Sequence, residues 1–336
     1  MTLRLSVLDQ SVACVGRPQD ESIRHTVALA EHCERLGYER FWLSEHHSLP
    51  SIVGTAPEVL MAAIAVRTSR IRIGSAGIML PHYAAYKVAE QFRVLDALAP
   101  GRVDLGVGRA PGSDHRTSML LNPDPRASER FPQQVRDLIA WVAGLELPQT
   151  HPGHGVQAFP RADTAPQVWM LGSSDYGAQL AAHFGLPYSF AHFITDGEGC
   201  ADALAMYRHL FQPGVLAQPQ ANICVWALAA DTEEEAWRLF ASRERARIDR
   251  QQGRFGPLLP PQEAEREYNS AEEAYRRELR RKVIVGTGEQ VAQKLHTLAH
   301  ELGIDELAVI TWTWDPLAQR RSYELLAQAC GLRPAG

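Results

Sequence analysis

Cysteine is scarce in this sequence of 336 residues. The five cysteines are Cys14, Cys33, Cys200, Cys224 and Cys330, and none of them forms a Cys-x-x-Cys pair. An odd and scattered set argues against a disulfide framework, and structural zinc sites need closely spaced pairs. The usage is typical of a protein kept in a reducing compartment, so we expect a cytoplasmic location.

Long apolar runs are also missing. The first ten residues, MTLRLSVLDQ, contain no apolar core of the kind found in a signal peptide. No uninterrupted apolar run approaches the ~18–20 residues that a membrane-spanning helix needs. We therefore expect neither a leader nor a membrane span.

Positive charge is not in excess either. Lys and Arg number 34 against 39 Asp and Glu, which gives a formal net charge of −5. Without a basic run interleaved with aromatic residues, nucleic acid is not an expected partner. Apolar residues make up 45% of the chain, which is ordinary for a globular protein with a large core.

Short β-rich runs alternate with helical runs along the chain. The helical runs include 21–37, which ends at Gly37, and 84–98, whose apolar residues share one face. Eight such units favour one (β/α)8 TIM barrel, a single domain over 1–336, rather than two domains. The predicted strands are 3–8, 40–44, 70–80, 102–109, 167–172, 187–193, 222–230 and 306–312.

Three segments interrupt this alternation and are predicted to be insertions. Residues at about 110–130 and 144–166 follow the fourth strand, and residues 250–282 follow the seventh. They are rich in proline, glycine and histidine or in charge, so their shape does not follow from periodicity. Since such loops determine substrate choice in barrel enzymes, the substrate stays open.

The segment FWLSEHHSLP, residues 41–50, carries a strand into three titratable residues. Active sites of these barrels lie at the carboxyl ends of the strands, where Glu45, His46 and His47 are expected. Alternation along a strand directs Glu45 and His47 one way and His46 the other, which makes a poor metal chelate. His-Glu-x-x-His is also missing. A metal-dependent barrel hydrolase is therefore a remote alternative, and no metal site is expected.

The stretch GSSD, residues 172–175, turns from a strand into a helix. It lacks the Gly-x-Ser-x-Gly pattern of serine hydrolases, and it has two other interpretations. The serines either cap the helix or, with the free N–H groups of its first turn, hold an anion such as phosphate. Walker A and GxGxxG motifs are missing, so a nucleotide would be held at a barrel mouth.

Two further strand ends offer ligand contacts. Arg109 lies between Gly108 and Gly112, where it is either an ordinary solvated arginine or the partner of a ligand anion. The small residues 75–77 leave room for a flat ring against the backbone. Three tryptophans provide either an apolar wall to the site or barrel core: Trp226, Trp312 and Trp314.

Four long stretches carry a family resemblance. They are FWLSEHHSL (41–49), IRIGSAGIMLPHYAAYKVAEQFRVLDALAPGRVDLGVGRAPG (71–112), VWMLGSSDYGAQLAAHFGLPYSFAHF (168–193) and VGTGEQVAQKL (285–295). Together they resemble the bacterial luciferase-like flavin-dependent monooxygenase family, in family order over most barrel elements. The resemblance implies a TIM barrel, a homodimer, and FMN that reaches the enzyme reduced from a separate NAD(P)H:flavin reductase. It implies that O2 then oxidises a small organic substrate.

The resemblance also assigns individual residues. His46 corresponds to the active-site histidine, expected to titrate near neutrality as a proton shuttle, with Glu45 and His47 fixing its loop. Ala76–Gly77 corresponds to a cis dipeptide under the flavin ring. The implied cofactor-binding residues are Ala76, Gly77, Gly108, Arg109, Gly172, Ser173, Ser174 and Tyr176.

Two departures limit the resemblance. The luciferases have a reactive cysteine in place of Gly108 and a glutamate near Gly172, so neither an aldehyde substrate nor light emission is implied. A deazaflavin-dependent oxidoreductase of the same fold and a flavin-binding protein without turnover remain alternatives.

Overall fold

The computed structural model describes residues 3–333, and a closed barrel of parallel strands forms its centre. Eight of the nine strands make the barrel, which β1 closes by pairing with β2 on one side and β9 on the other. The predicted (β/α)8 TIM barrel is confirmed. The strands are β1 (Arg4–Asp9), β2 (Arg40–Leu43), β3 (Arg72–Met79), β4 (Val103–Gly108), β5 (Gln167–Gly172), β6 (Tyr188–Phe190), β7 (Ala221–Ala230), β8 (Ile284–Thr287) and β9 (Glu306–Ile310).

Strand β8 lies outside the closed barrel and was not predicted from the sequence. It pairs with the last residues of β7, from Ala227 opposite Ile284 to Ala230 opposite Thr287. Four residues directly before a helix give too little alternation to detect. Strand β6 is shorter than the predicted 187–193, because a helical turn already begins at His192.

Helices cover the outside of the barrel. Their ends follow local chemistry: Gly37 adopts the left-handed conformation that ends α1, and Thr287 with Gln290 forms a capping box that begins α12. The helices are α1 (Gln19–Leu36), α2 (Pro57–Ala65), α3 (Ala85–Leu98), α4 (His115–Leu121), α5 (Phe131–Ala143), α6 (Asp175–Phe184), α7 (His192–Thr195), α8 (Cys200–Leu210), α9 (Glu233–Gln251), α10 (Pro261–Ala264), α11 (Ser270–Lys282), α12 (Gly288–Leu302) and α13 (Pro316–Ala329). None of those in residues 3–333 is long and apolar enough to cross a membrane.

The charged segment after the seventh strand is more regular than its composition suggests. Helix α9 continues to Gln251, and α11 packs against it. Glu244 on α9 is buried and accepts hydrogen bonds from Arg276 at 2.9 Å and Arg280 at 2.5 Å. The charges of this segment therefore join two helices rather than facing water alone.

Alternation along the strands divides the core in two. On β7, Ile223 and Val225 point outward to the helices, while Cys224 and Trp226 point into the barrel. Inside, the rings of Trp42 and Trp169 meet edge to face with centroids 5.0 Å apart. The bulky indoles fill the middle of the barrel, so ligands must bind above them.

A charged network closes the amino end of the barrel. Asp104 is fully buried and accepts hydrogen bonds from Arg40 at 2.8 Å, Trp42 at 2.9 Å and Arg72 at 2.5 Å. Arg40 also donates to the buried Glu306 at 2.8 Å. These bonds tie four strands together below the tryptophan layer.

Candidate active site

The loop after β2 places its three titratable residues as the alternation predicts. The His46 ring lies on the side of Ser44, whose Oγ is 3.2 Å from His46 Nδ1. Glu45 is buried on the other side and accepts hydrogen bonds from His47 Nε2 at 2.7 Å and Tyr83 Oη at 2.6 Å. Glu45 and His47 thus fix the loop, and Ser44 rather than Glu45 orients the His46 ring.

The protonation of His46 differs from the expectation. Burial lowers its pKa from the ordinary 6.5 to about 4, and the positive charge of Arg250 adds to this effect. The expectation that His46 titrates near neutrality is therefore wrong. The imidazole is therefore neutral at pH 7 and can offer a hydrogen bond rather than a charge.

The dipeptide Ala76–Gly77 lies in β3, which pairs with β2, the strand that leads to His46. Its peptide bond is cis, as predicted. A Cβ at Gly77 would meet Leu171 Cδ1 and lie 2.8 Å from the Gly106 carbonyl oxygen, so no side chain fits there. Ala76 and Leu171 pack against the interior cluster of Trp42 and Trp169. Ala76, Gly77 and Leu171 thus form an apolar floor at the carboxyl end of the barrel.

The structure brings Arg109 and Tyr176 together, although they are far apart in the sequence. The Arg109 guanidinium carbon lies 3.9 Å from the centroid of the Tyr176 ring, in cation–π contact. A guanidinium stacked in this way keeps its N–H donors at the edge of the ring, available to an anion. The adjacent Gly108 faces open space, since a Cβ there would have no atom within 4 Å.

The turn 172–175 leads into α6, which also carries Tyr176. Ser174 is the N-cap residue, yet its side chain makes no capping hydrogen bond. The prediction that the serines cap α6 is therefore not met at Ser174. The first-turn N–H groups receive no acceptor from that side chain, and the half-buried Ser173 lies beside them. A Cβ at Gly172 would lie 3.5 Å from Gly177 Cα, so the turn packs closely on the helix.

The tryptophans separate into two groups. Trp226 and Trp312 belong to the barrel interior, and Trp312 donates to Gln10 at 3.1 Å. Trp314 donates instead to the Val15 carbonyl oxygen at 2.9 Å and stacks under Arg17, away from the interior cluster. Within residues 3–333, no three His, Cys, Asp or Glu side chains are grouped to hold a metal ion.

Helix α9 contributes to this end of the barrel, and the sequence interpretation missed it. Arg243 stacks on the inward-pointing Trp226, and Arg250 lies near enough to His46 to lower its pKa. With Arg247, these arginines are spaced i, i+4 and i+7, which places them on one face of the helix. The spacing of these three arginines in the sequence was the signal that could have predicted this face of α9.

The luciferase-like monooxygenase family model matches residues 3–306. The uncharacterized protein YwcH of Bacillus subtilis is 44% identical over 329 residues, covering 97% of this chain and 98% of that protein. The N-acetyl-S-alkylcysteine monooxygenase of Bacillus subtilis is 36% identical over 330 residues, covering 97% and 98%. Both alignments run nearly end to end, so the similarity is not confined to one motif.

Solved structures agree with the sequence relatives. The crystal structure of apo-MsnO8 superposes with a TM-score of 0.89 at 34% identity, covering 99% of this chain and 100% of that one. Two more distant structures share the fold. The oxygenating constituent of 3,6-diketocamphane monooxygenase from Pseudomonas putida, in complex with FMN, has a TM-score of 0.68 at 18% identity and coverage of 98% and 97%. An F420-dependent secondary alcohol dehydrogenase has a TM-score of 0.67 at 15% identity and coverage of 98% and 99%. The chain belongs to the luciferase-like monooxygenase family of oxidoreductases.

Proposed function

We propose that the protein is a flavin-dependent monooxygenase that binds FMN at the carboxyl end of the barrel and uses O2 to oxidise a small organic molecule. The observation that carries this proposal is the stacking of Arg109 on Tyr176 beside the uncapped first turn of α6. A guanidinium, free backbone N–H groups and a helix N-terminus together form a phosphate site.

The residues present fit FMN. Arg109, Ser173 and Ser174 would hold the phosphate, and Ala76–Gly77 would support the ring. Gly108 leaves open space beside Arg109, since a Cβ there would meet no atom within 4 Å. When bound, FMN supplies the electrons for the reduction of O2.

The chain's own contribution is positioning and exclusion of water. The apolar floor of Ala76 and Leu171 packs against the same interior cluster as Trp312 and would keep water from the ring. Neutral His46 offers a hydrogen bond from a fixed direction, since Ser44 engages its Nδ1. We assign His46 the role of stabilising charge that develops during the reaction.

A binding experiment ranks the alternatives. We expect reduced FMN to bind, and NAD(P)H:flavin reductase added with NAD(P)H to support O2-dependent oxidation of a substrate. Preference for a deazaflavin over FMN, with no O2 uptake, would establish the deazaflavin oxidoreductase instead. Tight FMN binding without turnover on any substrate of a broad panel would favour the non-catalytic alternative. The relative named N-acetyl-S-alkylcysteine monooxygenase supports small thioethers as the first substrates to test.

The phosphate site gives a sharper test. Replacing Ser173 and Ser174 together by alanine should weaken FMN binding about 10- to 100-fold, because a charge-assisted hydrogen bond is worth roughly 1.5–3 kcal/mol. Riboflavin, which lacks the phosphate, should lose little. The measurement is calorimetric titration of both flavins. The matched control is Ser69→Ala, an exposed serine that precedes β3 and therefore lies toward the amino end of the barrel. Equal losses for FMN and riboflavin would move the phosphate elsewhere.

We also propose a homodimer formed through α2 and α3. Both helices expose apolar side chains: Val59 is 64% and Val94 is 50% exposed, and Val66 and Leu98 are also exposed. Exposed apolar side chains on two neighbouring helices support a protein contact at this face. Light scattering should give twice the monomer mass at micromolar protein. Val59→Glu with Val94→Glu should give a folded monomer, and a monomeric wild-type protein would refute the proposal.

We further propose that the whole chain, 1–336, is one domain. The last helix, α13, returns to the first: Tyr38 donates to the carbonyl oxygen of Tyr323 at 2.9 Å, and the two rings meet edge to face. The first and last helical units of the barrel therefore share one core. A single cooperative unfolding transition by calorimetry would agree with this proposal.

A further inference from the structure

Two hydrogen-bond donors are buried together at the carboxyl end of the barrel without acceptors. The guanidinium carbon of Arg243, on α9, lies 4.0 Å from the ring centroid of Trp226, on β7. Both residues are only 5% exposed. In the part of the chain that the structure describes, Arg243 Nη1 and Trp226 Nε1 are buried and have no hydrogen-bond partner. Buried polar groups are nearly always satisfied, so two adjacent exceptions call for a ligand.

Neighbouring carboxylates do not supply the missing partner, because other arginines already hold them. Asp196 forms two hydrogen bonds with Arg247, at 2.6 and 3.2 Å. Glu244, next to Arg243 in sequence, accepts from Arg276 and Arg280 on α11. Among residues 3–333, no carboxylate therefore hydrogen-bonds to Arg243, and the negative charge of Asp196 only partly offsets its burial.

The buried charge of Arg243 is unfavourable without a bound anion. Burial lowers the pKa of Arg243, and the nearby positive charge of Arg247 adds to the effect. The guanidinium nevertheless keeps its proton, because arginine is not deprotonated in folded proteins. A buried charge without a counter-ion costs stability unless a ligand neutralises it.

We propose that Arg243 and Trp226 form the anion subsite of the substrate, and that the substrate is a small organic carboxylate or sulfonate. The oxygens of the anion would accept from Nη1 of Arg243 and Nε1 of Trp226. Its apolar body would contact Trp312 and Leu171, which pack against the same interior cluster as Trp226. This inference rests on the proposed function for the oxidation that follows binding.

The subsite is separate from the proposed phosphate site. Arg109 follows β4 and Ser173 follows β5, whereas Trp226 lies on β7, with β6 between β5 and β7. The floor residues Ala76 and Leu171 pack against the cluster that contains Trp226. A substrate anchored at Arg243 would therefore extend over the floor that supports the ring.

Matched ligands of one shape test the charge requirement. Benzoate, benzenesulfonate and benzamide are titrated into the FMN-loaded protein by calorimetry, and benzoate alone into the apo-protein. We expect the anions to bind more tightly than benzamide. Arg243→Gln should weaken benzoate about 10- to 100-fold and leave benzamide unchanged. Arg243→Lys should retain part of the preference, and Arg238→Gln, an exposed arginine on the same helix, should retain all of it.

Thermal unfolding separates a ligand-binding role from a structural one. Because the guanidinium has no hydrogen-bonded counter-ion in the absence of an anion, Arg243→Met should raise the Tm of the apo-protein by about 2 °C or more while abolishing the preference for anions. A structural arginine would behave oppositely, and its replacement would lower Tm.

Three outcomes would overturn the proposal. They are equal affinity of the wild-type protein for benzoate and benzamide, unchanged benzoate affinity in Arg243→Gln, and a lower Tm for Arg243→Met with unchanged anion preference. If the second outcome comes with a loss of FMN affinity in Arg243→Gln, the guanidinium belongs to the cofactor site instead. If the wild-type protein binds no flavin, the proposed function fails, but the titration of the apo-protein still decides whether Arg243 binds anions.

Discussion

Replacing His46 by alanine should slow the oxidation of enzyme-bound reduced FMN in the presence of substrate by about 10²–10³-fold, the usual effect of removing one preorganised hydrogen-bond donor. The geometry gives the reason. When Ser44 donates to Nδ1 across 3.2 Å, the ring hydrogen of the neutral imidazole lies on Nε2. That hydrogen is then held in a fixed direction at the barrel mouth, and alanine removes it while leaving the loop intact.

The matched control is the neighbouring histidine. His47→Ala loses a hydrogen bond to the buried Glu45, so we expect a loss of about 1–3 kcal/mol of stability and a nearly normal rate per folded molecule. Stopped-flow absorbance of the flavin measures the rate, and thermal unfolding measures the stability. A His46→Ala protein that reacts like wild type, beside a stable but inactive His47→Ala protein, would show that the wrong histidine was chosen.

The pH profile distinguishes a neutral hydrogen-bonding group from a proton shuttle. Since the pKa of His46 is lowered to about 4, its neutral form is complete above about pH 5, and its contribution is lost only as the pH falls toward 4. The rate should therefore be flat between about pH 5.5 and 8. His46→Gln, which keeps an N–H donor without titrating, should recover part of the rate. An inflection near pH 6.5 that disappears in His46→Gln would restore the shuttle role.

The barrel was predictable because its determinants are local and repeated. Alternating strands and helices with glycine stops specify eight units in order, and nothing else competes for such a pattern. Alternation also placed His46 opposite to Glu45 and His47, since it depends on one strand alone. Strand β8 was missed because four residues beside a helix start carry too little pattern.

Site residues could be predicted where a single strand or turn determines their position. Contacts between residues of two different elements could not be predicted. The sequence predicted Arg109 and the turn into α6 as site residues. The contact between Arg109 and Tyr176, however, depends on the packing of β4 beside β5. The position of Arg243 depends on how α9 packs across the interior cluster, which no local pattern contains. The low pKa of His46 has the same origin, because burial is a property of the whole barrel end.

The largest loss of stability is expected at the opposite end, for Asp104→Asn. The side chain keeps its shape and its bond to Trp42 but loses the charge that faces Arg40 and Arg72. Removing one partner from a buried ion pair leaves the other charge uncompensated, at a cost of about 3–5 kcal/mol. We expect Tm to fall by roughly 5–10 °C.

A charge-matched control is available beside this network, where Arg4 lies between Asp305 and Glu306. Asp305 pairs with Arg4 at 3.1 Å, but both side chains are more than one-third exposed, so Asp305→Asn should cost less than about 1 kcal/mol. Because Asp104 lies below the tryptophan layer and the proposed site above it, Asp104→Asn should bind FMN normally at temperatures where it stays folded. An unchanged Tm would show that the buried network adds no net stability. A lower FMN affinity in the folded variant would show that the two ends of the barrel are coupled.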